Sequence, residues 1–192
     1  MVDFPPLAPS VGWFALYLKE FILSGDIFLA IRKANSGISS PKEFGRLALS
    51  DSKGGKTLLS VAIDGGGRQL RTLEKIPRLR LSEHGDWRLT HLGGIESILG
   101  RKPFYREYEK QLKEIYLDKN LQTLEEFNSA IFRFINSFLM ENIPLSSLVS
   151  NKDNKAVKER GTEIAEQLNP ELSMIQALAT HGKETLLGIL AF

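Results

Sequence analysis

The 192-residue sequence contains no cysteine. That absence excludes disulfide scaffolding, thiolate catalysis and cysteine-ligated zinc or iron–sulfur centres. Long apolar runs are also missing. The run Val11 to Leu18 stops at Lys19-Glu20, far short of the roughly 20 residues that cross a bilayer. The start, Met1-Val2-Asp3-Phe4-Pro5-Pro6, lacks a basic segment and is interrupted by Pro5, Pro6 and Pro9, so it does not have the form of an export signal. These features predict a cytoplasmic protein without a membrane span. Charge of one sign is scarce as well. Lys plus Arg is 25 and Asp plus Glu is 23, a net charge of +2. A nucleic-acid binder usually carries a clustered basic footprint. The scattered basic residues from Arg68 to Arg80 fall short of one, and no nucleic-acid partner is expected.

What remains is an ordinary globular composition, 42% hydrophobic and 25% charged, of a length that buries a core unaided. The expectation is one domain over residues 1–192, strand-rich over 1–81 and helical over 82–192. Ser10 caps a helix from about Val11 to Leu23, ended by Gly25. Asp26 to Ile31 is a continuous apolar run and reads as a buried strand. Lys33 to Glu43, with its Asn, Ser, Gly and Pro, reads as a loop. Leu47 and Leu49 alternate, as do Leu59, Val61 and Ile63, around Ser52-Lys53-Gly54-Gly55-Lys56. That is a β-hairpin, with a further short strand expected near Arg78 to Leu81. The second half is helical in pattern. Asp86 caps a helix to Leu99, and Pro103 opens a second with a Phe104, Tyr108, Leu112, Ile115, Tyr116 stripe. Thr123 and Glu126 form a capping box for a third, strongly amphipathic helix. Asn142 to Lys155 reads as a surface connection, followed by a helix from about Ala156 to Leu168. Asn169-Pro170 caps a last one, broken by Gly182. The fold class is α+β: a small antiparallel sheet packed against a mainly helical C-terminal half.

Three motifs bear on chemistry. Ser50 to Thr57 nearly spells a phosphate-binding loop, but such a loop must open a helix, and Leu58 to Ile63 alternates as a strand. It reads as the hairpin turn. Gly65-Gly66-Gly67 beside Arg68 and Arg71 lets a backbone approach an anion, or is simply the exit from the hairpin. His84 and His91 stand seven apart, not at the spacing of a helical zinc pair, so no metal and no cofactor are expected. Within His84-Gly85-Asp86-Trp87-Arg88-Leu89-Thr90-His91, Trp87 and His91 share a helix face. Histidine shuttles protons near neutral pH, and arginine grips phosphate or carboxylate with two donors. The bland alternative is a half-buried Trp with structural histidines. Tyr105 falls off the apolar stripe and is expected at the surface.

At this cluster the chain resembles the WbqC-like family, associated with bacterial O-antigen and other surface-polysaccharide gene clusters. The resembling blocks are Leu7 to Phe14, Gly45 to Ala48, Leu59 to Ile63, Leu81 to His91, Lys102 to Tyr116, and Pro170 to Leu178 with Gly182, the last similar to Bacteroidetes-type members. Of a polar Asn-Arg pair common in the family, only Arg46 matches, and Lys33 to Glu43 differs from the usual acidic segment. The resemblance implies a transferase placing glycine or another acyl group on an activated sugar, a nucleotide sugar being one candidate. In that reading His84 or His91 is the general base, Trp87 packs on the sugar, and Arg46 and Arg88 hold phosphates or a carboxylate, with Tyr105 a further substrate contact. The alternative is a non-catalytic binding or scaffold protein of the same pathway. Either leaves a second copy of the chain, or a pathway protein, open as partner.

Overall fold

The computed structural model describes residues 2–70, 72–140, 169 and 171–190. Helix α1 (Val11–Ser24) begins at Ser10, whose hydroxyl accepts the Trp13 N–H at 3.1 Å. It ends at Gly25, in the left-handed conformation at φ 68°. Helix α2 (Ile27–Asn35) follows directly and packs on α1. This corrects the strand expected over Asp26 to Ile31. Asp26 Oδ1 accepts from the N–H groups of Phe28 and Leu29 at 2.8 and 3.0 Å, which caps a helix rather than starting a strand. Ala30, Ile31 and Ala34 turn inward while Ile27 and Phe28 stay exposed. The expected loop at Lys33 to Glu43 is likewise shortened. The helix runs to Asn35, and a 3₁₀ turn occupies Pro41–Gly45.

The hairpin forms as read. Strands β1 (Arg46–Ser50) and β2 (Lys56–Ser60) pair antiparallel, Leu47 opposite Leu59 and Arg46 opposite Ser60. Asp51 Oδ1 takes the Lys53 and Gly55 N–H groups, and Gly54 supplies the positive φ of the turn. Leu47, Leu49 and Leu59 face the core, whereas Arg46, Ala48, Leu58 and Ser60 face outward. Helix α3 (Trp87–Leu99) lies close on the inner face. A Cβ on Gly94 would sit 3.0 Å from Leu59 Cδ2. The strand expected near Arg78 to Leu81 contracts to two isolated bridges, Ile63 with Leu81 and Arg80 with Thr123, after a 3₁₀ turn at Leu73–Arg78. Asp86 precedes α3 but makes no side-chain capping bond.

Helices α4 (Tyr105–Leu117) and α5 (Leu124–Met140) complete the helical half with α6 (Met174–Leu190), which breaks at Gly182, φ 73°. Glu126 Oε2 accepts the Thr123 N–H at 2.9 Å while the Thr123 hydroxyl accepts the Glu126 N–H at 3.2 Å. The connection and helix expected between Asn142 and Leu168 lie outside the described residues. Three buried or half-buried carboxamides tie the layers together. Asn35 donates to the carbonyls of Val2 and Phe4 and accepts from Trp13 Nε1. Asn128 donates to Pro5 and Phe44, joining α5 to the N-terminal segment and the hairpin approach. Gln176 pairs with both backbone groups of Ser50 at 2.9 and 2.7 Å. Among the described residues no helix is long and apolar enough to cross a membrane.

Candidate functional site

The first turn of α3 gathers Trp87, Arg88 and His91 against α4 and α5. The Trp87 ring lies edge-on to His91 and Phe127, at 5.2 and 5.5 Å between centroids. Its Nε1 donates to the Ser82 carbonyl at 2.8 Å. Arg88 is buried, and its guanidinium carbon sits 4.9 Å from the Trp87 ring centre and 5.4 Å from that of Phe127. Its amino groups donate to the carbonyls of Tyr116 (2.9 Å), Asp118 (3.3 Å) and Leu121 (2.9 Å), with Glu83 at 3.5 Å. These carbonyls end α4 and form the turn into α5. A cation there meets unpaired carbonyls at the negative end of a helix dipole.

His91 is buried beneath β2. Its Nδ1 stands 3.5 Å from the Tyr116 hydroxyl, and its Nε2 has no hydrogen-bond partner. Burial lowers its pKa from the ordinary value, and the Ser60 backbone acts weakly the other way. The ring is therefore held neutral. His84 is separate and exposed, on the turn before α3, its N–H donating to the Ser82 hydroxyl.

Tyr105 is fully buried, which corrects its expected surface position. Its ring stands edge-on to Tyr108 at 5.5 Å. Its hydroxyl and the Glu96 Oε2 are both buried without hydrogen-bond partners. Burial, with the Glu96 carboxylate as a smaller contribution, pushes the phenol upward. The stripe read from Phe104 leaves Tyr105 out, whereas Tyr105 shares the buried face of α4 with Tyr108, Leu112 and Tyr116.

Arg46 stands apart from that cluster, on the outward face of β1, and borders two cavities. One, of about 510 Å³, is a groove between the N-terminal segment, the end of α2 and the hairpin. Its lining includes Pro6, Trp13, Ile38, Arg46, Leu58 and Glu171. The other, of about 340 Å³, is a cleft lined by Lys42, Gly45, Arg46, Ser60, Val61, Gly67, Arg68 and Leu70. Neither His84 nor His91 lines either space. The connection is indirect. Arg46 is the ladder partner of Ser60, and His91 lies behind Ser60.

The structure thus brings Trp87, Arg88 and His91 together; Arg46 lies on the outward face of β1, His84 is exposed on the turn that shares Ser82 with Trp87, and Tyr105 is buried at the start of α4. It adds Trp13 and Lys42 to the residues around Arg46. Lys42 was hidden in a segment read only as loop. Arg68 carried a signal, the preceding glycines, which fit a plain turn equally well. Among the described residues no group of three or more His, Asp or Glu is placed to hold a metal ion. A search of curated proteins and a search of solved structures each returned no match. The model of the WbqC-like protein family matches residues 40–186, from the approach to the hairpin into α6, and the chain belongs to that family.

Proposed function

We propose that this WbqC-like protein binds an activated sugar at Arg46 and serves surface-polysaccharide production, as an acyl or aminoacyl transferase onto a hydroxyl or amino group of that sugar. One observation carries the placement. Arg46 lines both the groove and the cleft, is exposed, and makes no ion pair with a described residue. A guanidinium left free at the junction of two cavities suits a phosphate or carboxylate held by two donors. A general base must stand within hydrogen-bond reach of the proton it takes; exposed His84 and buried His91 line neither the groove nor the cleft, so this reading assigns the base to neither histidine.

The test is thermal stabilisation by a panel of nucleotide sugars, acyl-CoAs and amino acids, on the wild type and on Arg46→Gln. A ligand at 100 times its Kd adds about 2.7 kcal/mol. The expected result is a shift from a nucleotide sugar that Arg46→Gln loses. A shift of the same size in Arg46→Gln would defeat the placement. Binding without turnover is the second reading, favoured by a specific observation: the Trp87 Nε1 and both Arg88 amino groups are engaged by the chain's own carbonyls, while the buried Arg88 Nε has no partner. In that case the nucleotide sugar still stabilises the wild type and no transfer product appears with it.

A further inference from the structure

The cleft beside Arg46 has its own chemistry. Its charged lining is Lys42, Arg46 and Arg68, and no carboxylate is among the lining residues. The three come from three different segments: the 3₁₀ turn before the hairpin, the first residue of β1, and the turn after the glycines. None of them pairs with an acid among the described residues. The lack of an ion pair does not by itself mark them, since Lys19, Lys53, Arg80, Lys102 and Lys110 also pair with no described acid; what sets the three apart is that they share one cleft. The rest of the cleft lining includes Val61 and Leu70, both buried, and Gly45. A Cβ on Gly45 would come within 2.9 Å of Leu70 Cδ1, so the wall is closely packed there.

Three like charges around one small space repel, and a polyanion between them removes that cost while gaining charge-assisted hydrogen bonds. Next to the cleft lies a groove of different character, with Pro6, Ala8, Leu16, Ile38 and Leu58 in its lining together with the carboxylates Glu43 and Glu171, and Arg46 common to both. We infer that the cleft is a diphosphate subsite: Lys42, Arg46 and Arg68 hold the diphosphate of an ester whose remaining part extends past Arg46 into the groove. This deepens the activated-sugar reading and rests on it for the ester, but the anion site stands on the cleft alone. A diphosphate ester has two sources in such chemistry, a nucleoside diphosphate and an isoprenoid lipid diphosphate, and the diphosphate is what they share.

The experiment measures the affinity of inorganic pyrophosphate, uridine diphosphate and geranyl diphosphate by calorimetry. The proteins are the full-length wild type, Lys42→Gln and Arg68→Gln. Both variants alter exposed residues that line the cleft and not the groove, so folding is expected to hold, and circular dichroism checks it. The expected result is pyrophosphate binding by the wild type that weakens with added salt. Each variant should lose about tenfold, roughly one charge-assisted contact. Tighter binding of uridine diphosphate than of pyrophosphate assigns the nucleotide source, and tighter binding of geranyl diphosphate the lipid source. Wild-type affinity in both folded variants overturns the subsite, as does no binding of any of the three compounds. Pyrophosphate binding lost in the variants, with neither ester binding more tightly, keeps the anion site and removes the activated-sugar reading.

Discussion

At the scale of single residues, Arg88 gives the sharpest expectation. Three backbone carbonyls take its donors inside the protein, so truncation strands buried acceptors as well as removing packing on Trp87. Arg88→Ala should cost about 3 kcal/mol, read as a lower midpoint in urea unfolding. A loss below about 0.5 kcal/mol would show that these bonds contribute little. His91 sets a pH dependence. Its folded pKa lies below its unfolded value, because burial penalises the charged ring. The unfolded chain therefore binds more protons, and stability rises with pH. This contribution is fully present above the unfolded histidine value of about 6.5 and is lost as pH falls from there through the lowered folded value. Stability should drop between pH 7 and pH 5, and His91→Gln should flatten that slope. The lowered carboxyls of Glu109 and Glu126 act in the same direction but at more acidic pH, from the ordinary carboxylate value downward. An equal slope in wild type and variant would remove His91 from this role.

At the scale of elements, local rules decide how much was legible. The hairpin was plain because leucines two apart and a Gly-Gly turn point the same way. The start of α5 was plain because Thr123 and Glu126 cap each other reciprocally, a signal carried within four residues. Each of Thr123→Ala and Glu126→Ala should lower stability by about 1 kcal/mol. The double variant should fall short of the sum, since the two act as one unit; full additivity in a double-mutant cycle would contradict that. Helix α2 departs from the expected strand for an equally physical reason. A short continuous apolar run does not separate a buried strand from a helix, and Ile27 and Phe28 remain exposed rather than buried. The deciding residue was Asp26, whose side chain caps the helix. For the site, sequence spacing placed Trp87 and His91 on one face, as found. It could not give the destination of the Arg88 donors, 28 to 33 residues away, nor the meeting of Lys42, Arg46 and Arg68.

At the scale of the whole molecule, the N-terminal segment lies before the residues matched by the family model, yet it is part of the core. Phe4 packs on Phe44 at 5.3 Å, and Trp13, Phe14 and Tyr17 surround Phe132 of α5, Tyr17 edge-on at 4.9 Å. The Tyr17 phenol is pushed up to about 12 by that burial. Asn128 on α5 keeps its donors occupied only through Pro5 and Phe44. The same segment forms one wall of the groove through Pro6, Ala8 and Trp13. Removing it would uncover Phe44 and Phe132, leave Asn128 short of a partner and open the groove. Burial of large aromatic side chains of this kind is worth several kcal/mol in sum, comparable to the whole stability of a domain. A chain of residues 40–186, covering the full match to the family, is therefore expected to lose its cooperative thermal transition and its near-ultraviolet circular dichroism. The full-length chain should keep both. A cooperative transition in the shortened chain would show that α1 and α2 are an addition to an independent unit rather than a part of its core.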